Sequence, residues 1–520
     1  MTSSHDQLDF DIAIVGYGPV GALSALLLSG AGLRVVILER SVEPVLLPRA
    51  VGLDGESVRS FQRMGHGDLV SSILQPFREK EELHFTNSKR ESYFGMAIPK
   101  FGSNGWRDMA FFDQPELEAM LRELVAKQDG IEVRLGHEVT GIDQDADSVN
   151  LVAREAATEA EATLSAAYVL GCDGASSFVR TAMEIEWTSL GYDQDWLVVD
   201  ILLKPEAELP LMTMQVCDPA RLVSYICVKD PNRRWELQLL DGETREEMLD
   251  PEKIEELLAP WLPPEHYSLR RSAVYQFHAA TATQWRRGRV LLAGDAAHQT
   301  PPFLGQGLNA GFRDAVNLGW KLPLVLAGTC GPELLDTYVD ERDAHARDLV
   351  VVAVNLGKLM ENLAAREAGL GDPHPPPAGG PLGLSMPSLR DGVLVMEQAG
   401  NAGPVGALLR QPRVRCAEGN LCLLDELFGV GFVAIARKTT DLAISQASEE
   451  ILRRIGGRTV SLEGVEVVEG EFDHLLDRHP ALVIRPDRYV FGVVDGDWSL
   501  DRLLRELGQK LVLEPAQPSA

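Results

Sequence analysis

The sequence predicts an α/β protein in three parts: a doubly wound domain that is split in sequence, an inserted β-sheet domain, and a separate C-terminal module. Three observations carry this. An apolar β-type run ends at Gly16-Tyr17-Gly18-Pro19-Val20-Gly21 and turns straight into an apolar helix. Residues 185–284 read as strands almost throughout, and a strand-like segment at 289–292 followed by a long apolar helix returns to the first pattern.

Composition narrows the function classes. The 520 residues allow about three domains at ~100–200 residues each. Charged residues are 24% and apolar residues 45%, which places the chain with globular proteins and away from disordered ones. Lys and Arg number 49 against 77 Asp and Glu, a formal charge of −28 that repels phosphate backbones and anionic lipid. Neither nucleic acid nor a membrane is therefore an expected partner. The six cysteines (172, 217, 227, 330, 416, 422) form no CxxC pair or zinc-like spacing, so no metal site is expected and a reducing cytoplasm fits best. Residues 1–10 are polar and carry no signal region, and no apolar run approaches the ~18 residues of a spanning helix.

Each element follows from local pattern. Phe10 to Val15 is the first strand, and a helix over 22–29 is apolar nearly all round, as suits packing on a sheet, until Gly30 and Gly32 stop it. A second strand at 33–38 ends beside Glu39, so one βαβ unit brings glycines and an acid to the same sheet edge. Residues 82–112 are irregular and β-like. Gln114-Pro115-Glu116 opens a helix whose core stripe is Leu117, Met120, Leu121, Leu124 and Val125. Strands at 131–135, 149–153, 162–164 and 167–170 lead into Cys172-Asp173-Gly174. The inserted domain holds strands at 196–202, 212–216, 222–228, 235–240 and 273–277 and one helix at 251–259. Helices over 309–326 and 334–354 follow, then a Pro/Gly-rich linker at 371–381 and a mixed module over 410–513.

The first glycines carry chemistry of their own. Gly16, Gly18 and Gly21, with Pro19 and Val20 between them, sit where strand becomes helix, so a tight turn and free helix N–H groups can hold a diphosphate. Glu39 can accept from ribose hydroxyls, with Arg40 beside it. At this point NAD(P) and FAD are not distinguished. The second set is Gly294-Asp295 with His298, Pro301-Pro302 and Gly305-Gln306-Gly307-Leu308-Asn309. Asp295 at a strand end can accept from a polyol hydroxyl, and Gly305, Gly307 and Leu308 leave bare N–H groups at a helix start that stabilises an anion.

These motifs, with Cys172-Asp173-Gly174 and Arg180 upstream, resemble the GD and DG motifs of the single-component FAD-dependent aromatic hydroxylases. The similarity spans about residues 8–350 and is greatest to the 3-(3-hydroxyphenyl)propionate hydroxylase branch, which includes polyketide-tailoring relatives. The resemblance implies a Rossmann-type FAD-binding domain of the para-hydroxybenzoate hydroxylase fold over 1–184 and 285–395, with part of 82–112 joining the substrate sheet. It implies a substrate domain over 185–284 and a thioredoxin-like C-terminal domain over 400–520, here without CxxC. It further implies NAD(P)H and O2 as co-substrates, and hydroxylation of a phenolic aromatic through a flavin C4a-hydroperoxide. The protein would work as a monomer or homodimer. A polyketide-tailoring hydroxylase and a non-oxygenating FAD reductase of related fold are the alternatives.

Residue by residue, the resemblance places Arg49 and Gln114 at the flavin phosphates and ribityl chain, and Asp173 and Asn309 beside the cofactor. Asp173 reads equally as a turn capped by Ser176-Ser177. Pro302 becomes a catalytic and substrate contact through its carbonyl, His298 a proton relay or a buried structural imidazole, and Asp54 an activating acid or the N-cap of a helix. In the substrate domain Gln238, Tyr275 and His278 suit a phenolic acid, although stripes of this kind are also core. Arg221, Arg233, Arg234, Arg270 and Arg271 could neutralise a carboxylate, but most are expected to be solvated sheet-edge charges. Gly429-Val430-Gly431 precedes an apolar β-type run, the wrong order for a phosphate loop.

Overall fold

A computed structural model describes residues 8–44, 48–79, 82–375, 386–399, 403–472 and 474–515. The polar N-terminal residues 1–7, Leu47 and the 376–381 part of the Pro/Gly-rich linker lie outside the described residues. The elements that position the site are, in chain order, β1 (Phe10–Val15), α1 (Pro19–Gly30), β2 (Val35–Glu39), α2 (Gly55–Gln62), α3 (Gln114–Val125), β3 (Ile131–Leu135) and β4 (Glu161–Gly171). They continue with β5 (Trp187–Leu203), β6 (Asn232–Gln238), β7 (Tyr267–Ala282), β8 (Val290–Leu292), α4 (Gly307–Leu326) and α5 (Asp336–Glu367).

The first sheet runs β8-β4-β1-β2-β3 in parallel, with Arg286–Arg287 on the β8 edge and an antiparallel pair, His137–Gln144 and Val149–Glu155, branching from β4. Its strands are apolar on both faces because helices cover both, as β1 and β2 show with Ile12, Ile14, Val35 and Ile37 fully buried. Helix α1 begins at Pro19, three residues earlier than the apolar pattern suggested, since proline is preorganised for a first turn. Helix α5 runs to Glu367, well past the expected end at 354, because one continuous buried stripe joins the first domain's core at Tyr338 and Ala346 and then the cluster beside the second sheet from Val350 to Leu363.

The second sheet has eight strands in the order 298–299, β7, β5, β6, 221–226, 213–218, 82–86, 92–97. Strand Glu82–Thr86 joins it by parallel pairing with Thr213–Asp218. Its outer face packs Leu197, Val199, Trp235 and Leu237 against the helix Pro251–Leu258. Its inner face looks back at the first domain.

The C-terminal module holds a four-stranded sheet ordered 458–461, 433–436, 481–484, 490–493, with the first pair parallel and the others antiparallel. With helices Gln446–Arg454 and Leu500–Lys510 this is a thioredoxin-like arrangement. It is not a loose appendage. Phe432, Phe491 and Leu504 share one apolar cluster with Trp320 of α4 and Leu334. Arg485 donates to Glu341 of α5 at 2.7 and 2.8 Å.

Candidate functional site: two glycine turns facing a polar sheet

The two glycine motifs are built differently from within. Gly16 sits at φ +103°, and a Cβ there would stand 2.5 Å from the Cys172 carbonyl oxygen; a Cβ on Gly21 would stand 2.2 Å from the Gly16 carbonyl oxygen. Packing alone demands glycine at both. Gly18 is another matter, since a Cβ there meets nothing within 4 Å. Helix α1 behind it has no side-chain cap and no acid in its first turn, so its positive end faces open space. Glu39 accepts from the Tyr17 and Ser41 N–H groups, both at 2.8 Å, and so braces the turn from the sheet edge. Arg40 is exposed beside it.

The second turn repeats the design. Gly294 sits at φ +63° after β8, and its N–H donates to Asp314 at 2.9 Å. Gly305 sits at φ +62°, a Cβ on Gly307 would meet nothing within 4 Å, and α4 again starts with no side-chain cap and no first-turn acid. Leu308 follows in the same first turn. The turns are locked together: a Cβ on Gly311 would come within 2.6 Å of Val20 Cγ2, and one on Gly294 within 3.2 Å of the same methyl. Asp295 is solvent-accessible, yet the protein around it desolvates the carboxyl and raises it above its ordinary range, against the opposing pull of His298 and Arg49. Such open, glycine-lined helix ends fit a dinucleotide with one end at each turn.

Several residues expected to touch a ligand are hydrogen-bonded to protein groups. The Gln114 carbonyl accepts from the Arg49 and Ala50 N–H groups at 2.8 and 2.7 Å, and its amide donates to Glu118, so Gln114 holds the 48–50 loop. Arg49 itself is exposed. Asn309 is fully buried; it accepts from Asp54 N–H and Ser57 Oγ and donates to the Gly305 and Gly52 carbonyls, tying α4 to α2. Asp54 caps α2 through Ser57 N–H, the N-cap of its two readings, and pairs with Arg313. Asp173 accepts from Ser177 Oγ and Val179 N–H, capping the helix Phe178–Ala182. Arg180 lies over the Trp187 ring at 4.8 Å. The Pro302 carbonyl accepts from Gly305 N–H at 2.7 Å, closing the turn before α4. His298 is fully buried, stacked on Trp285, and bonded through Nε2 to Asp314 at 2.8 Å. Burial works to raise the Asp314 carboxyl, but His298 and Arg342 outweigh it and hold it below the ordinary value.

The inner face of the second sheet supplies the opposite wall. Strand pairing puts Trp196, Gln238 and Tyr275 in one row, Val198, Glu236 and Ala273 in the next, and Asp200, Arg234 and Arg271 in a third. Phe303, in the turn before α4, packs on the first row, with ring centroids 5.3 Å from Trp196 and 6.3 Å from Phe277. Gln194 gathers the hydroxyl of Tyr192, the indole N–H of Trp196 and the Gln238 amide at 2.7, 3.2 and 3.1 Å. Tyr275 accepts from Arg271. His278 falls on the other face, half-exposed and paired with Asp193, because side chains alternate along β7 and its neighbour Phe277 takes the inward position.

The third row corrects the expectation of solvated charges. Arg234 and Arg271 are buried, and Arg234 grips Asp200 through Nε at 2.7 Å. Arg234 also donates to the Arg49 carbonyl at 2.8 Å, and both arginines donate to the Pro48 carbonyl. Arg233 is buried on the far face against Asp230, Arg270 forks onto Asp113, and Arg221 pairs with Glu243. A charge can leave solvent here because each finds a carboxylate or a carbonyl. The middle row holds the residue that sequence reasoning passed over. Glu236 is 3 % exposed, and burial pushes its carboxyl up to about 7, against the pull of Arg234. The signal for it was present in Asn232, Arg234, Glu236 and Gln238, which alternate with Arg233, Trp235 and Leu237.

Among the described residues no group of His, Cys, Asp and Glu is arranged to hold a metal ion, and no helix is long and apolar enough to cross a membrane. Comparison with known proteins agrees with the two-turn geometry. A probable NADH-specific resorcinol 4-hydroxylase of Rhodococcus jostii is 34% identical over 98% of this chain and 97% of its own. A 3-(3-hydroxy-phenyl)propionate/3-hydroxycinnamic acid hydroxylase of Mycolicibacterium smegmatis is 33% identical over 93% of this chain and 90% of its own. The crystal structure of aklavinone-11 hydroxylase with FAD and aklavinone shares the fold, with a TM-score of 0.82 over 97% of this chain and 99% of that one at 23% identity. The HcaD C-terminal domain matches residues 406–510, and the FAD binding domain matches residues 9–353, so the chain belongs to the FAD-binding-domain family.

Proposed function

We propose that this protein is an FAD-dependent monooxygenase that uses NAD(P)H and O2 to hydroxylate a small phenolic aromatic. The observation that carries the reading is a pair of open helix N-termini, at Gly18 and Gly307, coupled through Val20 against Gly294 and Gly311, with Phe303 of the turn before the second of them packed on the inner sheet face at Trp196. Bound FAD would supply hydride acceptance and O2 activation. The chain does the rest. The turn at Gly16–Gly21 and the exposed Arg49 hold the diphosphate, Glu39 the adenosine ribose and Asp295 the ribityl chain. The start of α4 offers N–H groups to negative charge on the reduced ring. Gln114, Arg234 and Arg271 act at one remove by fixing the backbone of the 48–50 loop from both sides. Phe303, Trp196 and Phe277 form an aromatic wall that excludes water from the reacting ring.

On this reading residues 1–184 and 285–395 bind the cofactor, 185–284 bind the substrate, and 400–520 brace α4 and α5. The Rhodococcus relative's name favours NADH and a compact phenol. We read it as a cytoplasmic monomer or homodimer, a chain whose negative charge disfavours nucleic acid and anionic lipid. The test is direct: the purified protein should be yellow, release FAD on denaturation, and oxidise NADH faster with resorcinol or 3-(3-hydroxyphenyl)propionate, with hydroxylated product formed in step. Colourless protein that takes up no added FAD defeats the reading. NADH-driven reduction of the substrate without O2 uptake would replace it with a reductase.

A further inference from the structure

We propose that Glu236 is the catalytic base that takes the proton from the substrate's phenolic hydroxyl, an assignment that rests on the hydroxylase reading above. The geometry singles it out on three counts. Glu236 stands in the middle row of the inner sheet face, one row from the Phe303 wall and one row from the arginines under the 48–50 loop. It is therefore placed between the ring-side turn and the diphosphate-side loop, each about 7 Å along the strand. Its row leaves room: the flanking residues are Val198 and Ser224, Ala273 lies one strand beyond Val198, and Ala273, Tyr275 and Gln238 all keep some exposure.

The second count is the lack of a protein partner. Among the described residues no hydrogen bond reaches the Glu236 carboxylate, and its nearest cation, Arg234 Nη1, is 3.8 Å away. Arg234 is already engaged by Asp200 and by the Pro48 and Arg49 carbonyls, and Arg271 by Pro48 and Tyr275. On the adjacent strand Ser224 donates to Gln215 rather than to Glu236. The Glu236 oxygens are not among the fully enclosed unpartnered atoms, so a buried carboxyl without a protein donor is still open to a ligand hydroxyl that would hydrogen-bond it.

The third count is electrostatic. The charged and titratable groups that face Glu236 are Arg234 on its own strand, Asp200 on β5, and Arg271 with Tyr275 on β7. Asp200 cancels much of what the two arginines contribute, which leaves burial in command and the carboxyl poised near neutrality, where a general base is most effective. The proton passes from the phenol oxygen to a Glu236 carboxylate oxygen, and the O–H electron pair stays on the phenolate, enriching the ring for attack. The carboxyl returns the proton when product leaves.

The test compares wild type, Glu236→Gln and Glu236→Asp as FAD-loaded enzymes with resorcinol and NADH, at pH values on both sides of about 7. Wild-type turnover should rise with pH through that midpoint. Glu236→Gln should lose about 100-fold or more in kcat together with the pH-dependent limb, while Glu236→Asp keeps the limb. In parallel, the near-ultraviolet phenolate band of bound resorcinol should grow through the same midpoint in wild type and be missing in Glu236→Gln, a readout that requires no turnover. A glutamine variant with wild-type turnover and the same limb overturns the assignment while leaving the hydroxylase reading intact. Should Glu236→Gln fail to bind FAD, the wild-type spectrum decides: resorcinol bound as neutral phenol on both sides of the midpoint refutes the base. Wild type that shows no phenol-stimulated NADH oxidation removes the reading and the base together.

Discussion

Replacing one glycine of the first turn at a time should separate packing from ligand binding. Gly21→Ala puts a Cβ 2.2 Å from the Gly16 carbonyl oxygen, where contacts under 3.0 Å essentially never occur, so α1 must move about 1 Å away from β1 in a close-packed core. Overpacking of this kind costs about 1–3 kcal/mol, and here it is backbone that must yield. Gly16→Ala adds a left-handed φ of +103° to a 2.5 Å approach to Cys172 and should be at least as damaging. Gly18→Ala meets nothing within 4 Å at a φ of −75°, so the apoprotein should melt within about 0.5 kcal/mol of wild type. Its methyl group would occupy the space that a diphosphate needs against the start of α1. The assay is a thermal melt of apoprotein beside a fluorescence titration with FAD. We expect Gly18→Ala to keep its melting temperature and lose FAD affinity by at least about tenfold, equivalent to one charge-assisted hydrogen bond. Gly21→Ala should lose the melt itself. FAD binding by Gly18→Ala equal to wild type would refute the placement of the ligand.

Three further outcomes follow from the buried charges and the shared core. Arg234→Lys keeps a cation for Asp200 but cannot also span the Pro48 and Arg49 carbonyls, so FAD affinity should fall by about 1.5–3 kcal/mol in the same titration; an unchanged affinity disproves the loop-clamp role. Burial works to raise Glu341, yet Arg485 and Lys321 carry it from 4.5 down to about 2, so the stability it lends is full above pH 4.5 and drains away as pH falls toward 2. Urea midpoints measured across that interval should slide for wild type and stay flatter for Glu341→Gln, which at neutral pH should already be weaker by about 3–5 kcal/mol for stranding two cations. A chain ending at Ala399 would bare Trp320, Leu334, Val393 and Val395 and strip Arg485 from Glu341, so it should aggregate on size-exclusion chromatography; a well-behaved monomer would show that the module is a separable attachment.

How much could be read beforehand depended on whether a residue's role is local. The glycine turns were legible because a tight strand-to-helix turn and a left-handed φ restrict residue type on the spot, as at Gly16, Gly294 and Gly305. Helix caps were half legible: Asp54 and Asp173 each carried two readings, and the N–H groups that settle the matter lie within six residues of them. The polar face of the second sheet was not legible, because which side of β6 and β7 turns inward depends on pairing with β5, thirty or more residues away. Phe277 takes the inward position beside Tyr275, and His278 the outward one opposite Asp193. The partners of Gln114 and Asn309 could not be read in advance, because they come from segments 65 and more than 250 positions distant. Arg234 and Arg271 looked like surface charge because no property of an isolated arginine announces that a carbonyl from residue 48 will meet it.

One isopropyl group has an outsized effect on what this fold can accept. Val20 meshes with Gly294 and Gly311, so the two helix mouths are separated by the thickness of a single side chain and cannot drift apart. A ligand that presents negative charge at both helix starts engages them without any rearrangement of the chain, and one that presents it at a single start forfeits the other. Enlarging residue 20 to isoleucine or leucine would push the two helix starts apart, and FAD affinity is where the change would register.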